Sequence, residues 1–244
     1  MSIVGYFFGG SKQKKGKKLT AAARREQGSA ADQLFQEAYS NFAEVAHSHS
    51  TYPDALHNWG FALFHQAQTK SGDEAIKLYE EAMTKFSSCL TVATDHLGGA
   101  VDGGVAILGL AKAKKVKLDD ELYTKAKELF IKAEQIQEGA ASYNLACIYA
   151  LQKDGDACLK ELEKARDLGL IPDVKEILND EDLGNIKDLP WFDQFIQSLS
   201  EDDDEGIKED ESVEKEAKVE SKKTPVKKSP AKKKTTKEDE KPAE

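Results

Sequence analysis

The chain has 244 residues, 39% of them hydrophobic, three cysteines and a formal net charge of −9; a core is affordable if part of the chain is excused from it. Charge shows which part: residues 1–25 hold seven Lys or Arg and no acid, residues 26–200 hold 16 basic against 29 acidic groups, and residues 201–244 hold 12 against 15. The acidic middle is the expected folded body and repels phosphate backbones, while three cysteines without a secretory pattern argue against a disulfide scaffold and for a cytoplasmic protein.

In chain order, residues 1–25 read as a flexible basic arm. Its opening "SIVGYFFGG" is too short to span a bilayer, and its charges follow the apolar run instead of preceding it. Tyr6, Phe7 and Phe8 beside "KQKKGKK" would suit shallow contact with anionic lipid.

Residues 26–170 contain a repeat. "ADQLFQEA" gives Ala31, Phe35 and Ala38; "AIKLYEEA" gives Ala75, Tyr79 and Ala82; "AKELFIKA" gives Ala126, Phe130 and Ala133; "CLKELEKA" gives Cys158, Leu162 and Ala165. Small, large and small residues at i, i+4 and i+7 share one helical face. Upstream of the last three lie Trp59-Gly60, Leu108-Gly109 and Leu145-Ala146, also in helical patterns, so the unit is a helical hairpin whose small residues let two axes approach closely. Tyr52-Pro53-Asp54 and Ser71-Gly72-Asp73 mark helix starts. The first unit lacks a clear leading helix.

This pattern resembles the tetratricopeptide repeat family, whose unit is a helix pair with small residues at set places. The last unit matches through Leu145, Ala146, Tyr149, Cys158, Leu162 and Ala165, and "HNWGFALFHQAQTKSGDEA" is similar to the long-insert repeats of bacterial members. The resemblance implies an all-α fold, a right-handed α-solenoid of about three and a half hairpins with disordered charged termini. Residues 171–199 are similar to a closing segment, with Leu178, Leu183, Ile186, Leu189, Phe192, Phe195 and a buried Trp191 covering the last apolar face. Residues 200–244 read as a disordered acidic-then-basic tail, with eight lysines and no acid between Ser221 and Lys237.

No chemistry is recognisable. Cys147 and Cys158 fit neither C-x-x-C nor a zinc spacing and read as packing residues. The histidines His47, His49, His57, His65 and His96 lack a metal-ligand arrangement, and the glycines of "HLGGAVDGGVAILGLAKAK" lack a P-loop lysine. Four of them, Gly98, Gly99, Gly103 and Gly104, are expected to delay or loosen the helix there. The expected function is therefore a scaffold or adaptor without enzymatic activity, metal or cofactor. Its partner would be a protein or peptide held in the concave groove. The resemblance assigns that groove Asp54, His57, Asn58, Phe61, Phe64 and His65, then Ala106, Ile107, Leu110 and Lys114, then Tyr143, Asn144 and Cys147. Family members that clamp acidic C-termini use Lys and Arg where this chain has His57, Phe61, Ala106 and Cys147, so such a clamp is not implied. The alternative is a tether whose basic arms bind membrane or polyanion.

Overall fold

The structure, a computed structural model, describes residues 3–45 and 52–199, with side chains from residue 10 onward. Met1–Ile196 is one compact unit; of the second, Gln197–Glu244, only residues 197–199 are described. His47, His49 and the tail from residue 200 lie outside the described residues.

The described chain is all-helical. Its α-helices are α1 (Ile3–Ala23), α2 (Gly28–Val45), α3 (Tyr52–Ala67), α4 (Gly72–Val92), α5 (Leu97–Lys114), α6 (Glu121–Ile136), α7 (Ser142–Leu151), α8 (Gly155–Asp167) and α9 (Val174–Asn179). A 3-10 turn (Glu181–Leu183) and a helical stretch at 192–199 follow. The eight longer helices pair in sequence as hairpins, α1 with α2, α3 with α4, α5 with α6 and α7 with α8, and each hairpin touches the next.

The first hairpin corrects the expectation of a flexible arm. Most of residues 1–25 forms α1, the leading helix that the first unit had lacked. It is held because Gly16, Leu19, Thr20 and Ala23 fall on one face; Thr20 and Ala23 are buried, and Leu19 packs on the core. A Cβ at Gly16 would lie 2.5 Å from the Phe42 ring. Lys12 and Glu44 form an ion pair beside this contact.

The same contact recurs. A Cβ at Gly60 would meet Phe86 at 3.0 Å, and one at Gly104 would meet Phe130 at 2.5 Å. Both partners of this contact advance by 44 residues from one hairpin to the next. The third unit therefore starts two helical turns earlier than the alignment of Ala126, Phe130 and Ala133 with Ala75, Tyr79 and Ala82 implied. Tyr123, Ala126 and Phe130 take the places of Tyr79, Ala82 and Phe86, and Ala133 is a further buried residue of the same face. Gly109, matched from sequence to Gly60, faces Tyr79 of the preceding hairpin, where a Cβ would come within 2.5 Å.

Contrary to the expectation of a late or loose start, α5 runs unbroken through all four glycines. Its N-cap is His96, whose Nδ1 accepts from Gly99 N–H at 2.9 Å. Packing outweighs the weak helix propensity: Gly99 lies under Cys89 and Leu90, Gly103 between Phe86 and Leu129, and Gly104 under Phe130.

Polar staples join successive hairpins. Tyr39 O–H donates to Gln66 Oε1 at 2.6 Å, Gln66 Nε2 donates to Asp32 at 2.8 Å, and Lys70 pairs with Asp32 at 2.7 Å, joining α2 to α3 and the turn beyond it. Glu134 of α6 accepts from the backbone N–H of Gly139 and Ala141 and pairs with Lys164 of α8. Burial pushes the Glu134 carboxyl up, but Lys164 and the two N–H groups outweigh it and hold it below the ordinary range.

The closing segment packs through Ile177, Leu183, Ile186 and Phe192, all buried. Two expectations fail here. Leu178 is 47% exposed, because Ile177 takes the inward position of the short α9, and Trp191 is only half-buried, set edge-on to Phe192.

Gly104→Ala is expected to lower stability by about 1–3 kcal/mol, the cost of overpacking against the buried Phe130. Gly10→Ala, with nothing within 4 Å, should be neutral or stabilising by up to about 1 kcal/mol. Urea unfolding followed by circular dichroism measures both.

Candidate functional site

The first helices of successive hairpins form a row: α1 touches α3, α3 touches α5, and the 3-10 turn lies against α7. Two clefts open along this row. The first, about 270 Å3, is lined by Lys17, Thr20, Ala21 and Arg24 of α1, Phe42 of α2, and His57, Asn58 and Phe61 of α3. The second, about 480 Å3, lies between α5 and α7, with Leu97, Gly98, Val101 and Asp102 on one wall, Tyr143 and Asn144 on the other, and Leu170 and Pro172 at an end.

One pair of side chains bridges the two clefts. His57 of the first bonds through Nε2 to Asp102 Oδ2 of the second at 2.7 Å, and the His57 ring lies over Gly98, where a Cβ would sit 2.8 Å from Nε2. Beside it His96, 4.9 Å away ring to ring, donates from Nε2 to Asp54 Oδ1 at 3.2 Å, since its Nδ1 already accepts from Gly99. The wall is thus built from imidazoles and carboxylates that orient one another across α3 and α5.

The structure divides the residues expected in the groove. His57, Asn58 and Phe61 line the first cleft, and Tyr143 and Asn144 line the second. Asp54 is exposed at the rim with His96. Phe64, Ala106 and Leu110 are core residues; Phe64 packs on Tyr79 with ring centroids 6.1 Å apart, and none of the three leaves surface for a ligand. Ile107 is buried and opens towards a different cleft, among α4, α5 and α6. Lys114 turns to Glu80 of α4, at 2.7 Å. His65 is wedged between Phe61 and Phe64, with Nδ1 on Gln68 and a buried Nε2 that has no hydrogen-bond partner among the described residues.

Cys147 is buried, and its Sγ lies 3.6 Å from Asp180 Oδ2, which also accepts from Tyr143 O–H at 2.9 Å. Asp182 pairs with Lys112, and Asn185 Nδ2 donates to Ala150 O at 3.2 Å. The closing segment therefore covers the far side of α7. Burial first, then the carboxylates of Asp180 and Asp182, push the Cys147 thiol far up. Burial likewise raises Cys158 to about 12 and Cys89 to about 11, so all three stay protonated near neutral pH.

The cleft residues missed from sequence follow one register. Setting α5 against α3 at 44 residues pairs Asp54, His57, Asn58 and Phe61 with Gly98, Val101, Asp102 and Val105, and three of these four line the second cleft. The same step backwards pairs Phe61 with Lys17 and His65 with Ala21, both of which line the first. The signal was the glycine and phenylalanine spacing itself.

Among the described residues no group of three or more His, Cys, Asp or Glu is arranged to hold a metal ion. No family model matches the chain, and no curated protein is recognisably similar to it. The class the fold defines is an all-helical protein of stacked helical hairpins.

His65 supplies a pH test of this packing. Burial, then the Arg24 charge, lowers its pKa, outweighing Gln68 and Asp102. The unfolded chain then takes up the proton first, so this group's stabilising contribution is present above about pH 6.5 and is lost as pH falls towards its folded value. Wild type should lose stability relative to His65→Gln between pH 7 and 5, read from urea midpoints; an unchanged difference would place His65 outside the buried wall.

Proposed function

We propose that the protein is a non-enzymatic interaction scaffold of the tetratricopeptide type, a right-handed solenoid that holds an extended peptide or a partner helix along the row formed by α1, α3, α5 and α7. The observation that carries the reading is that the His57–Asp102 bond bridges the two clefts, which sets the cationic first cleft and the second side by side along one row of helices. Repeat solenoids use such rows as binding surfaces, and apolar floors with a few placed polar groups suit side-chain recognition.

The lining suits binding more than chemistry. Phe61 is half-buried with Arg24 5.8 Å from its ring centroid, which offers a partner an aromatic surface beside a cation. Leu97, Val101, Leu170 and Pro172 offer the second cleft apolar surface, and Asn144 supplies an amide. The thiols are held protonated by burial, which makes them poor nucleophiles.

Panning the full chain against a displayed random-peptide library tests this reading. Selected peptides should bind wild type, and Arg24→Glu and Asn144→Lys should each weaken binding at least about tenfold, a typical cost for losing a central interface contact, with helicity unchanged. The exposed Lys153→Glu is the control. Peptides that ignore both cleft variants would overturn the reading.

A further inference from the structure

Beyond the groove, we infer that the N-terminal end of α1 docks the protein on an anionic lipid surface. Lys12 pairs with Glu44, one residue before the end of α2, whereas α1 begins at Ile3. Relative to α2, residues 3–11 therefore continue past that pairing level by about 13 Å at the rise of an α-helix, and the described start of α3, Tyr52, falls level with residue 8 in the 44-residue register. This overhang begins with the sequence IVGYFF, followed by Lys12, Lys14, Lys15, Lys17 and Lys18, and α1 contains no acidic residue.

The register puts the two groups together. At 100° per residue Gly16 and Ala23 share the face of α1 turned to α2; Lys14 and Lys18 fall opposite and Lys15 on the flank, and all three are exposed. Positions 3, 4 and 7 fall on that same opposite side. Among the described residues Lys14, Lys15, Lys17 and Lys18 make no ion pair, so their charge is available to an external anion. The positive end of the helix dipole adds to it.

Charge complementarity selects the occupant. Residues 26–200 carry 16 basic against 29 acidic groups, so an anionic surface repels the rest of the fold and admits only this end. The short apolar run buries shallowly while the lysines meet acidic headgroups, the arrangement of an interfacial helix. No helix among the described residues is long and apolar enough to cross a membrane, so the attachment lies at the interface and weakens with salt.

Sedimentation of the full chain with vesicles tests this. Binding is expected to phosphatidylcholine vesicles containing 30% phosphatidylserine and not to phosphatidylcholine alone. It should weaken about a hundredfold in the Lys14→Gln, Lys15→Gln, Lys18→Gln triple variant, at a few-fold per charge, and also in Val4→Asp, Phe7→Asp. The corresponding triple Lys→Arg variant should retain it. Deleting residues 221–244, the other lysine-rich stretch, should leave it intact. Failure to sediment with the phosphatidylserine vesicles, binding that survives both α1 variants and disappears with that deletion, or retention by duplex DNA in place of vesicles would each overturn the inference. Neither α1 variant alters a residue lining the two clefts, so peptide binding and lipid binding fail separately.

Discussion

The contact on which this structure depends is an aromatic ring laid on bare helix backbone. In three successive hairpins the second helix presents Phe42, Phe86 or Phe130, and the first presents Gly16, Gly60 or Gly104 beneath it. The rings are fully or almost fully buried. A glycine gives up helix propensity, about 1 kcal/mol relative to alanine. The return is an inter-axial approach that no residue with a Cβ would permit, and burial of most of a phenyl ring. Because ring and glycine both advance by 44 residues, each hairpin repeats the geometry of the last, and α1, α3 and α5 fall into one row.

That row decides what the protein can offer a partner. Each first helix uses one face for its own hairpin and leaves another towards the neighbouring first helices, where His57 and Asp102 meet. Buried and half-buried polar groups fix the spacing between hairpins: Asp32 and Tyr39 meet on Gln66, and Glu134 gathers two backbone N–H groups and Lys164. Breaking such a group's partners is costlier than the bonds themselves are stabilising, so these staples favour one stacking over its alternatives. At the far end Asp180 and Asp182 complete the polar groups of α7 and α5, and the closing segment ends the row.

Helical hairpins were legible because small and large residues recur at i, i+4 and i+7 whatever the register. Register was the part that failed. Ala126-Phe130-Ala133 satisfies the pattern, whereas the residues that stand 44 after Ala75, Tyr79 and Ala82 are Asp119, Tyr123 and Ala126, which lack the leading small residue; a helix presents nearly the same face two turns later, and the seat of Phe130 on Gly104 separates the two registers. The match of Leu108-Gly109 to Trp59-Gly60, 49 residues on where the packed register is 44, moved the expected groove of α5 from Gly98, Val101 and Asp102 to Ile107 and Leu110, which are core. The basic start misled for a different reason: lysine density reads as solvation, yet Gly16, Leu19, Thr20 and Ala23 carry a complete packing stripe between the charges. Trp191 and Leu178 were misplaced because a short, turn-rich segment has no sustained period from which to read its inner face.

The account stands or falls on α1 being a packed helix of the first hairpin, because both the cationic cleft and the end proposed to meet lipid are built from it. Hydrogen–deuterium exchange on the full chain measures this directly. Amides of residues 16–23 should be protected together with those of α2 and α3; exchange of that segment at the rate of an unstructured chain, while α3 to α8 stay protected, would contradict it.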